Sequence, residues 1–372
     1  MILHTWSHQA YQPRPEDDPP KYLRGWNHVE LDADGNLFAV VPLRALLMVT
    51  PESELRWSCA VAAHHDLAFN DTGAILVLSE AMRRVVAGGQ GHVVQDNLVT
   101  AVDPDSGAVT GETSLYDVLR TDQHLRRLID DSIMRRSQEF RRGWPGSDGG
   151  PAAVLEEETR EIPGTASYYD ERRRVLQRLR DLPGKPCDVM HANTLAVLDA
   201  HPEGVWQRGD VMVCLRELDT IAAVDLAGGA VRWWWGAGEL SGPHQPSMLP
   251  DGRVLIFDNG VSLGRTRLLV VDPSTCTVVW SWSADPPKSF FCPLAGGCER
   301  LPDGNLLVTD STRGGVFELT LDGRVVWRMT LPVDVYGAGR GRVSIYRMSA
   351  VAPDLVGRLG GRDLSGARGK RA

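Results

Sequence analysis

One turn recurs along the 372-residue chain and limits its fold more than any other feature. Leu-Pro-Asp-Gly stands at Leu249–Gly252, ahead of Arg-Val-Leu-Ile-Phe, and again at Leu301–Gly304, ahead of Asn-Leu-Leu-Val-Thr. Asp34-Gly35 before Asn-Leu-Phe-Ala-Val and Asp71-Thr72-Gly73 before Ala-Ile-Leu-Val-Leu are variants of the same unit. Each turn lies between apolar, β-branched runs, which is a hairpin signal. A second turn follows in most units, at Pro51–Glu54, Asp105-Ser106-Gly107, Ala227-Gly228-Gly229, Asp272–Thr275 and Asp322-Gly323. Four of these five lead into strands ending in Trp, at Trp57, Trp233, Trp280 and Trp327. The surplus of Trp, 11 against 7 Phe and 7 Tyr, is therefore partly a periodic mark.

The units fall at about 26–57, 64–112, 190–235, 244–282 and 296–329, and a sixth can be assembled from 340–352 with help from the N-terminal arm. Repeats of roughly 35–50 residues holding four short strands have the period of propeller blades. A stack of independent β-sandwiches would not share one turn and one Trp at a single period. The expected fold is all-β, a six-bladed β-propeller with a helical insertion. Its divisions are an N-terminal arm over 1–25, the propeller over 26–352 and a flexible C-terminal tail over 353–372.

Residues 113–186 interrupt the period and carry 27 charges in 74 positions. Leu125, Ile129 and Ile133 recur at i+4, and Val175, Leu176 and Leu179 form a second short stripe, both helical patterns. The stretch 144–153 is a loop between them. The segment reads as a solvated decoration, with a lid over the site or a homodimer contact as the sharper alternatives.

Composition removes several classes of function. A formal charge of −8 lacks the basic footprint of a nucleic-acid partner, although 36 Arg against 4 Lys is lopsided. No stretch reaches the ~18 apolar residues of a membrane helix, so no membrane partner is expected. The N-terminus has neither a cationic start nor an apolar run, so a cytoplasmic location is expected. Six Cys are too sparse for a disulfide scaffold; Cys292 and Cys298 could be bridged, but reduced structural thiols are the expectation in a cytosol. His4 and His8 have metal-ligand spacing without a Cys partner, which argues against a structural zinc. No phosphate-cradling loop, dinucleotide fingerprint or nucleophile elbow is present, and no cofactor is expected.

In a propeller the first strand of each blade lines the central channel. His65 and His244 each stand eight residues before the turn glycine of their unit, and His191 opens another first strand. Arg216 follows in an apolar context, where an unpaired guanidinium is costly. Three His and one Arg directed at one channel suit anion binding and nucleophilic chemistry. Taken singly, each His is a hydrogen-bonded filler and Arg216 a blade-to-blade ion pair; His28 and His64 keep that structural reading. A metal on the three His ranks second, because the cation would repel Arg216.

At this point the residues resemble the bacterial arylsulfate sulfotransferase family, the nucleotide-independent type built on a six-bladed propeller. The matching pieces are His64-His65-Asp66-Leu67, Asp188-Val-Met-His191-Ala-Asn193-Thr, Val213-Cys-Leu-Arg216, Pro243-His244-Gln and Phe257-Asp258-Asn259-Gly260. The late unit from Gly296 to Asn305, with Phe317 and Trp327, is similar to family repeats. The resemblance implies ping-pong transfer of a sulfuryl group from an aryl sulfate donor to a phenolic acceptor. By position it makes His244 the nucleophile that becomes a sulfohistidine. His65, His191 and Arg216 then hold sulfuryl oxygens and assist the phenolate, with Asn193 beside them in substrate binding. Some family members carry an additional N-terminal β-sandwich, which is not expected in this chain, and some have a Cys pair shortly before the nucleophile, whereas Cys292 and Cys298 lie after His244. Two other readings stay open: a propeller using the same channel for metal- or quinone-assisted chemistry, and a non-catalytic binding scaffold.

Overall fold

The computed structural model describes residues 4–8, 25–143, 185, 187–331 and 345–360. The expected loop at 144–153 and the stripe at Val175, Leu176 and Leu179 lie outside these residues. Among these residues, twenty strands form five four-stranded antiparallel sheets, each paired in chain order. The first blade holds β1 (His28–Leu31), β2 (Leu37–Val41), β3 (Ala45–Val49) and β4 (Leu55–Cys59). The second holds β5 (Ala63–Phe69), β6 (Ile75–Ala87), β7 (Gln90–Val102) and β8 (Val109–Ser114). The third holds β9 (Ala192–Val197), β10 (Val211–Leu215), β11 (Thr220–Asp225) and β12 (Ala230–Trp235). The fourth holds β13 (His244–Met248), β14 (Val254–Asp258), β15 (Arg267–Asp272) and β16 (Thr277–Trp282). The fifth holds β17 (Gly297–Arg300), β18 (Leu306–Asp310), β19 (Gly315–Leu319) and β20 (Val325–Thr330). The first strands pack side by side in chain order, and the molecule is a β-propeller.

Local chemistry accounts for this arrangement. The recurring turn joins first to second strands, and its glycines Gly35, Gly73, Gly252 and Gly304 hold φ between 82° and 92°, where a Cβ would be strained. Second strands such as Leu37–Val41 and Val254–Asp258 are buried throughout, because neighbouring blades cover both faces. They accordingly read as continuous apolar runs rather than alternations. Fourth strands are the exposed rims, and their Trp residues reach across to the next blade. The Trp57 ring N–H donates to the Pro104 carbonyl at 2.8 Å, Trp233 to Pro273 at 3.1 Å and Trp280 to Leu321 at 3.2 Å. In each case the acceptor lies in the third-to-fourth-strand turn of the following blade. Trp327, on the last blade, is 45% exposed.

The expected sixth blade is corrected by the structure: among the described residues there are five. Residues 345–352 form no strand. Their backbone is held by two side chains and one backbone amide: Gly296 N–H donates to Tyr346 O, Met348 N–H to Thr309 Oγ1 and Ala350 N–H to Glu299 Oε2. A ladder strand needs a partner strand, and residues 353–360 instead form helix α3. The segment lies against the fifth blade, while Arg347 reaches Asp66 in the second.

Before the undescribed part of the insertion come two helices, α1 (Leu115–Leu119) and α2 (Gln123–Gly143). Helix α2 is not a solvated decoration. Leu125, Ile129 and Ile133 are buried in one cluster with Val189, Met190 and Leu218. Ser132 Oγ donates to Val189 O at 2.9 Å, and Arg136 pairs with Glu217. The helix therefore braces the segments that carry His191 and Arg216. No helix among the described residues is long and apolar enough to cross a membrane.

Candidate active site

The ends of the first strands are distorted where the histidines sit. Register breaks between Ala63 and Leu67 and between His244 and Ser247, and at Cys214–Leu215 opposite β9. Such bulges re-aim side chains and gather beside functional sites. His65, His191 and Gln245 occupy the left-handed region, with φ of 55°, 52° and 44°. Non-glycine residues are held there only when surrounding structure compels it.

These distortions bring the expected residues together. The His65 and His191 rings lie edge to face, with centroids 4.9 Å apart. Arg216 N–H donates to His191 O at 3.1 Å, which joins the arginine's single 3-10 turn to the histidine's strand. A Cβ at Gly242 would stand 3.9 Å from Arg216 Nε, so the guanidinium stem passes beside the residue two before His244. The Arg216 side chain also pairs with Glu217. Asn193 is fully buried; its amide donates to Pro243 O at 2.9 Å, and its oxygen accepts from Thr194 Oγ1. It is thus placed to brace the residue before His244.

Hydrogen-bond partners decide where each imidazole carries its hydrogen. His244 Nδ1 lies 2.6 Å from Asn259 Oδ1 and 3.2 Å from Gly242 O. Both Asn259 amide hydrogens are spent on the Cys292 and Ala295 carbonyls, at 2.6 and 2.9 Å, so its oxygen must face His244. Nδ1 therefore donates and Nε2 is the basic atom. His191 Nδ1 lies 2.6 Å from the Asp188 carboxylate, which imposes the same tautomer and orients the ring. His64 Nε2 faces Ser79 O at 3.2 Å and Glu80 at 3.8 Å, while its Nδ1 meets His65 Nδ1 at 2.7 Å. With His64 donating through Nε2, His65 donates through Nδ1. His64, expected as a filler, thus sets the state of His65.

His244 is buried, and burial together with the nearby positive charge of Arg216 and the field of His191 lowers its pKa to about 3, against the raising effect of Asn259. It is a neutral imidazole at any ordinary pH. Beneath the histidines, Asp66 accepts from the Leu67 and Leu195 amides and pairs with His28 at 3.0 Å and Arg347 at 3.1 Å. Burial alone would raise its pKa, but Arg347 and His28 outweigh it and hold the carboxyl at about 2. Burial likewise opposes protonation of His28, yet the Asp66 carboxylate prevails and raises its pKa. His28, Glu30 and Asp66 are close enough to one another to bind a metal. Arg347 already supplies the cation there, paired with Asp66. All six Cys are free thiols, five of them buried.

Four participants escaped the sequence reading. Asp188 and Asn259 stood inside quoted motifs without a role; for Asp188 the available signal was its place three residues before His191. Arg347 and Tyr346, which lies 6.0 Å from His65 between centroids, were absorbed into the expected sixth blade.

Among solved structures, a protein of unknown function from Bacteroides caccae is similar at 12% identity, with 82% of each chain covered and a TM-score of 0.45. Virginiamycin B lyase from Staphylococcus aureus is similar at 10% identity, covering 85% of this chain and 75% of the other, with a TM-score of 0.43. Comparison with curated proteins returns no match. The arylsulfotransferase (ASST) family model matches residues 155–331, which include His191, Arg216, His244 and Asn259. That match supports the arylsulfotransferase family over residues 155–331.

Proposed function

We propose that this protein transfers a sulfuryl group from an aryl sulfate donor to a phenolic acceptor through a covalent intermediate on His244. The observation that carries this reading is the state of His244: buried, neutral, and tied through Nδ1 to Asn259 so that Nε2 is the basic atom. In the first displacement the bond from Nε2 to sulfur forms as the bond from sulfur to the aryl oxygen breaks. The phenolate leaves with the electron pair. Arg216 offers planar, charge-assisted donors to the sulfuryl oxygens, a geometry Lys would not match. In the second displacement the acceptor phenol gives its proton to His191 as its oxygen attacks sulfur, and the bond to Nε2 breaks to restore the neutral ring. Asp188 behind His191 stabilises the imidazolium that forms. His65, whose Nδ1–H is held by His64, presents Nε2 to the site and donates to a sulfuryl oxygen from that atom once the ring is protonated. The reading requires neither cofactor nor metal, and in a cytoplasm it would draw on an intracellular aryl sulfate.

Nitrophenyl sulfate with phenol as acceptor tests the proposal. Nitrophenolate should be released by the wild-type protein and not by His244→Ala, and mass spectrometry should find a sulfuryl adduct on His244 after donor treatment. Turnover undiminished in His244→Ala would end the reading.

A further inference from the structure

Buried polar atoms in native proteins nearly always have partners, and an exception calls for an explanation. Besides Nε of Arg347, whose terminal nitrogens pair with Asp66, two such atoms lie near the candidate site without a partner among the described residues: the Tyr346 hydroxyl and Gln245 Oε1. Gln245 follows His244, and its side chain presses on Gly297. The neighbouring Gly296 donates its N–H to Tyr346 O, so both orphan groups hang from one short stretch of the fifth blade. Tyr346 stands 6.0 Å from His65 and 6.4 Å from His28, centroid to centroid. Its hydroxyl lies within the electrostatic reach of Cys214, Asp66 and Arg347. Cys214 lies two residues before Arg216 and donates to Pro243 O, immediately before His244. The hydroxyl is thus enclosed by the elements that carry His65, Arg216 and His244.

We propose that the Tyr346 hydroxyl is a further substrate-contacting donor, giving a hydrogen bond to a sulfuryl oxygen of the aryl sulfate on the His65 side of the site. This rests on the sulfotransferase reading above. Three observations support it. A buried hydroxyl without a partner is costly to the free protein, and the cost disappears when an anionic oxygen arrives. Burial pushes the phenol's pKa up, so it remains a neutral donor and adds no charge to the site. The segment carrying it is also anchored independently of the hydroxyl, by the Arg347–Asp66 pair and by the Met348 and Ala350 amides.

Tyr346→Phe keeps the ring and removes only the donor. The expected result is a fall in kcat/KM for nitrophenyl sulfate of about 10- to 100-fold, the usual effect of deleting one hydrogen bond to a charged oxygen. The thermal midpoint should be unchanged or higher, because an unsatisfied buried group has gone. A variant with wild-type kcat/KM overturns the proposal and leaves the sulfotransferase reading standing. A fall in kcat/KM matched by a fall in the thermal midpoint also overturns it, since the hydroxyl would then be serving the fold. A wild-type protein without turnover overturns both.

Discussion

Asn259 Oδ1 meets His244 Nδ1 at 2.6 Å, while both hydrogens of the same amide are committed to the Cys292 and Ala295 carbonyls. The amide cannot flip without losing two buried bonds. That rigidity holds His244 in one tautomer and one orientation, as outer-shell partners do for metal-bound histidines.

Asn259→Ala should therefore slow turnover without removing the nucleophile. We expect kcat for nitrophenyl sulfate to fall by about 10- to 100-fold, the range seen when the partner of a functional histidine is lost. A sulfuryl adduct should still form on His244, only more slowly, and quenched-flow mass spectrometry would measure it. An unaltered rate of adduct formation would show that the ring is held by burial alone.

How far the residues announced this arrangement depended on how local each relation was. The turn glycines and Trp57, Trp233 and Trp280 act within a blade or against the next one, so a periodic reading found five of the blades. His65, His191 and His244 were expected together because channel-lining strands start at a repeating register, and Arg216 because it follows the next strand of its unit in an apolar context. Asp66 and Arg347 were not, since the two lie 281 positions apart and no pattern joins them. Residues 340–352 read as part of a sixth blade, but a buried guanidinium needs its carboxylate, and residues 345–352 take another course. For α2, the apolar stripe was visible; that it packs under Val189 and Met190 could not be read from the helix itself.

The low pKa of His244 makes stability depend on pH in a stated direction. Unfolded, the ring titrates near 6.5; folded, it does so near 3. Between these values the unfolded chain binds a proton the native protein refuses, so stability falls as pH drops from about 6.5 toward 3. The slope from this one group is at most about 1.4 kcal/mol per pH unit. His28 has the opposite sign, its stabilisation being lost as pH rises through a native pKa above 6.5. Urea midpoints measured between pH 4 and 6 should change less steeply in His244→Gln, and an identical slope would contradict the assigned state.

The Asp66–Arg347 pair should prove among the most sensitive points for stability. Both side chains are buried, and removing one partner strands the other's charge. Asp66→Asn strands the buried Arg347 guanidinium, while Glu30 still pairs with His28, with an expected loss of about 3–5 kcal/mol in denaturant unfolding. Arg347→Met should cost less, because His28 still balances the carboxylate. The double variant should be more stable than the sum of the two losses predicts, the mark of direct coupling.

The periodic Trp residues give a graded test of how the blades are joined. Trp57→Phe removes the ring N–H and leaves the Pro104 carbonyl without that donor, for an expected loss of about 1 kcal/mol. Trp233→Phe should cost a similar amount through Pro273. Trp327 occupies the same place in the last blade but is 45% exposed, so Trp327→Phe should change stability by less than about 0.5 kcal/mol. Equal losses at all three positions in denaturant unfolding would show that the Trp side chains act within their own sheets. A loss confined to Trp57 and Trp233 would identify the ring N–H as the link from one blade to the next.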